Sequence, residues 1–236
     1  MEFGNFDFSF FNSIGGGDGK DAPPADDSRA DLDTAESRRK VATYKTLSTH
    51  QKLRLLSEAA LDEALPWHLE KGNAYHVVSY GDVDALTYLR RVAQDQPLDY
   101  VILTTWCMAQ VDADEVDKWV DRGLIKRIDY VVGEVFQSHA RYKKIRETLT
   151  KTVAKCGGRV LRCRTHMKVM VCYGPEYDCV IESSANVDTN PRAEQTCITV
   201  DSGLADFYKE WLDALPNFDE TPEGWEPWQR KNTEMN

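Results

Sequence analysis

No apolar run in the 236 residues reaches the roughly 18 to 20 positions that a membrane-spanning helix needs, so no membrane partner is expected. The first residues, MEFGNFDFSFF, carry no basic stretch ahead of a long apolar one and are not expected to act as a secretory signal. No C-x-x-C pair occurs. Cys107, Cys156, Cys163, Cys172, Cys179 and Cys197 are scattered, mostly within apolar strand-like runs, which favours buried thiols over disulfides or zinc ligands. The expected compartment is therefore reducing, the cytoplasm. No carboxylate cluster or Cys/His ligand spacing suggests a metal, and no cofactor is expected. No internal repeat is visible.

What is present is unevenly charged. The formal net charge is −10, but residues 1–37 hold nine acids and two bases, and residues 216–236 hold five acids and two bases. Between them, residues 38–215 carry 25 charges of each sign. Within that neutral body, Arg141 to Lys168 has ten basic residues against one acid, Glu147. This suggests a local positive face with acidic tails. Residues 1–37, with Gly15-Gly16-Gly17 and Pro23-Pro24, have the composition of a disordered tail. Its cluster Phe3, Phe6, Phe8, Phe10 and Phe11 fits either a docking motif for a protein partner or packing on its own chain. An acidic tail of this kind would mimic nucleic acid and shield the basic face.

From Ser48 the apolar spacing is helical, and residues 38–73 read as a helical extension. Strand and helix signals then alternate. Ala74–Ser79, Tyr100–Trp106, Arg127–Val135, Arg159–Arg164, His166–Tyr173, Tyr177–Glu182 and Thr196–Val200 read as strands. Asp82–Ala93 (with an aspartate cap), Ala113–Arg122, Ala140–Lys155 and Leu204–Leu215 read as helices. The alternation predicts an α/β domain over residues 74–215 with a mostly parallel sheet flanked by helices. The short Gly174-Pro175 turn predicts a hairpin, so the sheet is expected to be mixed. Residues 216–236 form a polar C-terminal tail rich in Pro and Trp.

The chemistry concentrates between His166 and Glu194. Alternate residues of an extended chain share one side, so His166 and Lys168 are expected to face together, with Met167 toward the core. If the hairpin forms, Ser184 and Asn186 converge on them. Lysine and carboxamide suit the non-bridging oxygens of a phosphodiester, and histidine suits attack on phosphorus or proton shuttling.

These residues resemble the phospholipase D superfamily, whose signature is H-x-K, four residues, D, six residues, then G-S-x-N. Here H-x-K is His166-Met167-Lys168, and the Ser and Asn are Ser184 and Asn186. The Gly position is Ser183, the Asp position is Tyr173, and the spacing to Ser184 is longer than the strict pattern, leaving Asp178 as a stand-in only through the turn. The resemblance implies a phospholipase D-like fold and assigns catalysis to His166, Lys168, Asn186 and a histidine-orienting Glu194, with Ser184 and Arg164 contacting substrate. It implies a phosphohistidine intermediate without metal. It also requires two histidines. His50-Gln51-Lys52 lies in a helical pattern without S-x-N, and His76-Val77-Val78 lacks the lysine. One motif therefore calls for a homodimer that completes one active site from two chains. The basic stretch running into His166 favours a polyanion, hence an endonuclease on DNA or RNA. Phospholipid chemistry and a non-catalytic binding module are the competing readings. Trp106 fits either core packing or stacking on a base. His139, on a strand-end loop, is read as a surface residue.

Overall fold

The computed structural model describes residues 59–80, 83–188 and 192–230. All lie in the second of the two units into which the chain divides, Leu47–Asn236. The expectations for the N-terminal tail, for the start of the extension and for a cap at Asp82 fall outside the described residues. Residues 59–64 are the described part of the first helix, α1.

Seven strands form one sheet: β1 (Ala74–Tyr80), β2 (Tyr100–Thr105), β3 (Ile128–Gly133), β4 (Val160–Cys163), β5 (Val169–Tyr173), β6 (Asp178–Ser183) and β7 (Ala193–Thr199). Their order is β1-β7-β6-β5-β2-β3-β4. Helices α2 (Ala85–Asp95), α3 (Gln110–Asp121), α4 (Val135–Ser138), α5 (Lys143–Cys156) and α6 (Ser202–Asp213) connect them. The mixed α/β class holds, but the expectation of a mostly parallel sheet does not. Only β2–β3 and β3–β4 pair in parallel, and the other four pairings are antiparallel. The cause is connection length. Parallel neighbours need a crossover of a dozen or more residues, which α3 and α4–α5 supply. After β4 no helix intervenes until α6, so the chain can only reverse.

Strand alternation divides the core. Val101 and Leu103 of β2, with Met170 and Cys172 of β5, face one layer built on α2, α3 and α5. Tyr100, Ile102, Val169, Val171 and Tyr173 face the other, covered by α6 and Trp228. The C-terminal segment thus packs on the sheet. Trp228 stacks on Tyr100, with ring centres 5.0 Å apart, and lies 4.8 Å from Tyr173. Phe218 N donates to Arg162 O at 2.8 Å, covering part of the edge strand β4. All six cysteines are free thiols, four of them buried. Among the described residues no helix is long and apolar enough to cross a membrane.

Candidate active site

The C-terminal ends of β2, β3, β4 and β6 and the N-terminal ends of β5 and β7 share one end of the sheet. The link from β4 to β5 runs across this end. It must pass β3 and β2, three strand spacings of about 4.8 Å each, so roughly 14 Å. Residues 164–168 reach at most about 20 Å when extended, so the link spans the gap with room for the turn in which Thr165 N donates to Cys163 O at 3.0 Å. His166, exposed, and Lys168, half-buried, sit on this link rather than within β5, whose first residue is Val169. An extended link still places alternate residues on one side. Lys168 Nζ lies 2.9 Å from His166 Nδ1 and donates to His166 O at 3.0 Å. Met167 packs against the second core layer.

Two buried threonines at the end of β2 hold the two halves of the motif. Val169 N donates to Thr104 Oγ1 at 2.7 Å, which fixes the chain directly after Lys168. Val187 N donates to Thr105 Oγ1 at 3.3 Å, which fixes the chain directly after Asn186, and Thr105 Oγ1 donates to Cys107 O at 2.6 Å. Ser183 N donates to Lys168 O at 2.9 Å and closes the hairpin between the halves. These hydroxyls had a signal in the sequence, a Thr-Thr pair ending an otherwise apolar run, but their partners lie 65 and 82 residues away.

Ser184 Oγ donates to Glu194 Oε2 and accepts from Gln195 N at 3.0 Å. The carboxylate of Glu194 therefore holds Ser184, while Nδ1 of His166 is engaged by Lys168. Ala85 N donates to Asn186 O at 3.3 Å, and the Asn186 side-chain oxygen is buried with no hydrogen-bond partner among the described residues. Arg164 is exposed at the start of the link. His139 is exposed at the end of α4. The Ser183 hydroxyl turns to β7, donating to Gln195 O at 3.2 Å and lying 2.7 Å from Thr196 Oγ1, so the extra bulk is taken up there.

Burial lowers the pKa of the Lys168 ammonium, partly offset by Cys107 and the Glu194 carboxylate. Burial raises the Cys107 thiol, as does the Asp188 carboxylate, against Arg141 and Lys168. Tyr173, in the superfamily's aspartate position, lies at the opposite end of β5, about 17 Å along the strand from Lys168. It pairs across the hairpin with Asp178 and donates to Asp206 Oδ1 at 2.9 Å. Asp178 is buried, accepting from Ser202 Oγ at 2.7 Å and from Arg230. Both residues tie the hairpin to α6 and the C-terminal segment.

Much of the basic stretch is neutralised within the fold. Lys151 and Lys155 pair with Asp117, Arg159 with Asp129 and Asp213, and Arg162 with Asp219. Arg146 donates to Phe136 O at 2.5 Å. The exposed cations Lys143 and Lys144 begin α5, at the end of the sheet that carries His166. Among the described residues no group of three or more His, Cys, Asp or Glu side chains is placed to share a metal ion.

No protein-family model matches the chain, and no curated protein does. Among solved structures it is similar to polyphosphate kinase from Porphyromonas gingivalis, at 16% identity and a TM-score of 0.45, over 64% of this chain and 27% of that one. It is also similar to a mutant of yeast tyrosyl-DNA phosphodiesterase, at 15% identity and a TM-score of 0.34, over 53% of this chain and 32% of that one. The unmutated yeast enzyme gives 15% identity and a TM-score of 0.32, over 52% of this chain and 31% of that one. The matched part therefore spans a third or less of each of those proteins.

Proposed function

We propose that this chain is a phosphodiesterase of phospholipase D type, an endonuclease acting on DNA or RNA, with one active site completed by two copies. The observation that supports this reading is that Lys168 Nζ lies 2.9 Å from His166 Nδ1 on the β4–β5 link, and that Ser183 N, directly before the S-x-N segment, donates to Lys168 O at 2.9 Å. Among the described residues, the other histidines do not form a second such motif. His68 pairs with Asp95, His76 lies beside Cys197, and His139 is exposed with no lysine two residues on.

The resting contact sets a tautomer. When the Lys168 ammonium donates to Nδ1, the neutral imidazole carries its hydrogen on Nε2. A bound phosphodiester draws Lys168 and Asn186 onto its non-bridging oxygens, which frees Nδ1 to take the proton and exposes the Nε2 lone pair. Nε2 attacks phosphorus and the bond to the leaving oxygen breaks. The protonated histidine of the second copy gives that oxygen its proton. The same histidine then takes a proton from water, whose oxygen displaces His166 from phosphorus, yielding a phosphomonoester and free enzyme. Glu194 acts by holding Ser184, and Arg164, Lys143 and Lys144 attract the polyanion.

The test is turnover of bis(4-nitrophenyl) phosphate and of single- and double-stranded DNA and RNA in excess EDTA, beside a His166→Ala variant. Wild-type turnover with EDTA and none in the variant is expected. Equal turnover by both proteins, or loss with EDTA, sinks the histidine mechanism. Light scattering at assay concentration should give twice the chain mass, and a monomer showing full activity refutes the shared site.

A further inference from the structure

Trp106 takes no part in the chemistry above, yet its ring lies beside that of His166. We infer that its indole is a stacking platform for the nucleobase next to the scissile phosphate, so that the half-site prefers a base-bearing strand to a bare phosphodiester backbone. This rests on the reading of His166 as the group that meets phosphorus.

Four observations support it. All six residues of β2 are buried, but the next residue, Trp106, is 39% exposed. It belongs to neither layer of the apolar core. Its ring centre lies 5.4 Å from that of His166, with the planes tilted by 45°, within the reach of one nucleotide from phosphate to base. The indole also has a built seat. A Cβ at Gly133, the last residue of β3, would lie 2.9 Å from Trp106 Cδ1 and 3.4 Å from Thr165 O. Glycine therefore lets the end of β3 pass beneath both the indole and the link that carries His166. The backbone beside the indole is held as well, because Thr105 donates to Cys107 O.

A core tryptophan would be covered, and one serving only to wedge His166 would not need an open face. An indole with its Cδ1 edge against Gly133 and 39% exposed, beside the histidine and lysine proposed to meet phosphate, has the form of a single-strand platform. Such platforms combine cations for the backbone with an aromatic face that any base can use.

The experiment measures binding of two labelled single strands of equal length, one base-bearing and one abasic at its central positions. Fluorescence anisotropy is read in a His166→Asn background so that nothing is cleaved. The base-bearing strand should bind about ten- to a hundredfold more tightly. Trp106→Ala should erase that preference and leave abasic binding unchanged, and Trp106→Phe should keep most of it. Gly133→Ala, which crowds the indole, should reduce it. An unaltered preference in Trp106→Ala, or an equal loss for both strands, overturns the platform. Turnover of bis(4-nitrophenyl) phosphate by the wild type separates the two readings. Turnover with no base preference removes the platform alone. A base preference without turnover removes the phosphodiesterase reading and keeps the indole only as a base-binding platform beside a bound, uncleaved phosphate. Neither binding nor turnover removes both.

Discussion

Thr104 offers a direct measure of how strongly the sheet holds the motif. Its side chain is fully buried, and its Oγ1 accepts from Val169 N at 2.7 Å. Thr104→Val keeps the shape but strands a buried N–H, which costs about 1–3 kcal/mol. That is a large share of a stability of roughly 5–15 kcal/mol. Thr104→Ser keeps the acceptor and loses one buried methyl, about 1 kcal/mol. Urea denaturation should therefore rank wild type above Ser and Ser above Val. Amide hydrogen exchange localises the effect. In Thr104→Val the Val169 amide should exchange roughly 5- to 150-fold faster, the factor that 1–3 kcal/mol represents, and in Thr104→Ser it should not. Lys168 precedes Val169, so a shift of about 1 Å there should also lower turnover by about a hundredfold. A Val169 amide as protected in Thr104→Val as in wild type, with stability within about 0.5 kcal/mol, would refute the idea that this hydroxyl anchors the link.

Asp117 accepts from Lys155, Thr152 and Lys151 of α5, and although burial opposes it, these bonds leave its pKa below the usual aspartate value. A lowered folded pKa stabilises above the unfolded value near 3.9 and is lost as pH falls through the folded one; Asp117→Asn should therefore cost stability at pH 7, and that difference should shrink in melts as pH falls below the unfolded value. Gln96, which receives Glu176 N and Tyr177 N and donates to Tyr177 O, clamps the hairpin turn. Gln96→Ala should cost about 2–4 kcal/mol by urea denaturation while leaving KM unchanged, since the turn lies at the end of the sheet away from His166. Gly174→Ala should act likewise, because a Cβ there would lie 2.3 Å from Gln96 Oε1. Trp228→Ala should lower the melting temperature by several degrees, since about 2 kcal/mol of half-buried stacking is lost; an unchanged Tm would show that the C-terminal segment does not hold the sheet.

Periodicity made the elements legible. Asp84 caps α2 two residues after the position expected from the sequence, and each predicted strand has a counterpart shifted by a few residues. Strand direction was less legible, because it depends on which strands become neighbours: β5 pairs with β2, whose partner residues lie 67 or more positions earlier in the chain, and not with β4 beside it in sequence. His166 reads as a strand residue because an extended link and a strand have the same side-chain alternation. The basic stretch reads as a positive face because its acids come from elsewhere, from Asp117 on α3 and from Asp213 and Asp219 near the C-terminus. The departure at Tyr173 looks serious in a linear motif. In the fold it stands at the other end of the strand from Lys168 and joins a stacking cluster with Tyr100 and Trp228.

The two threonine bonds have a consequence for how such chains are recognised. They set the relative position of H-x-K and S-x-N from a third strand, so the hairpin between the two acts as slack. Residues added at Gly174–Tyr177 lengthen the hairpin away from the chemistry without moving His166 against Asn186. A pattern that counts residues between the two motifs measures this slack. One that asks for paired hydroxyls at the end of a preceding buried strand measures the anchor, and would find motif pairs whose spacing hides them.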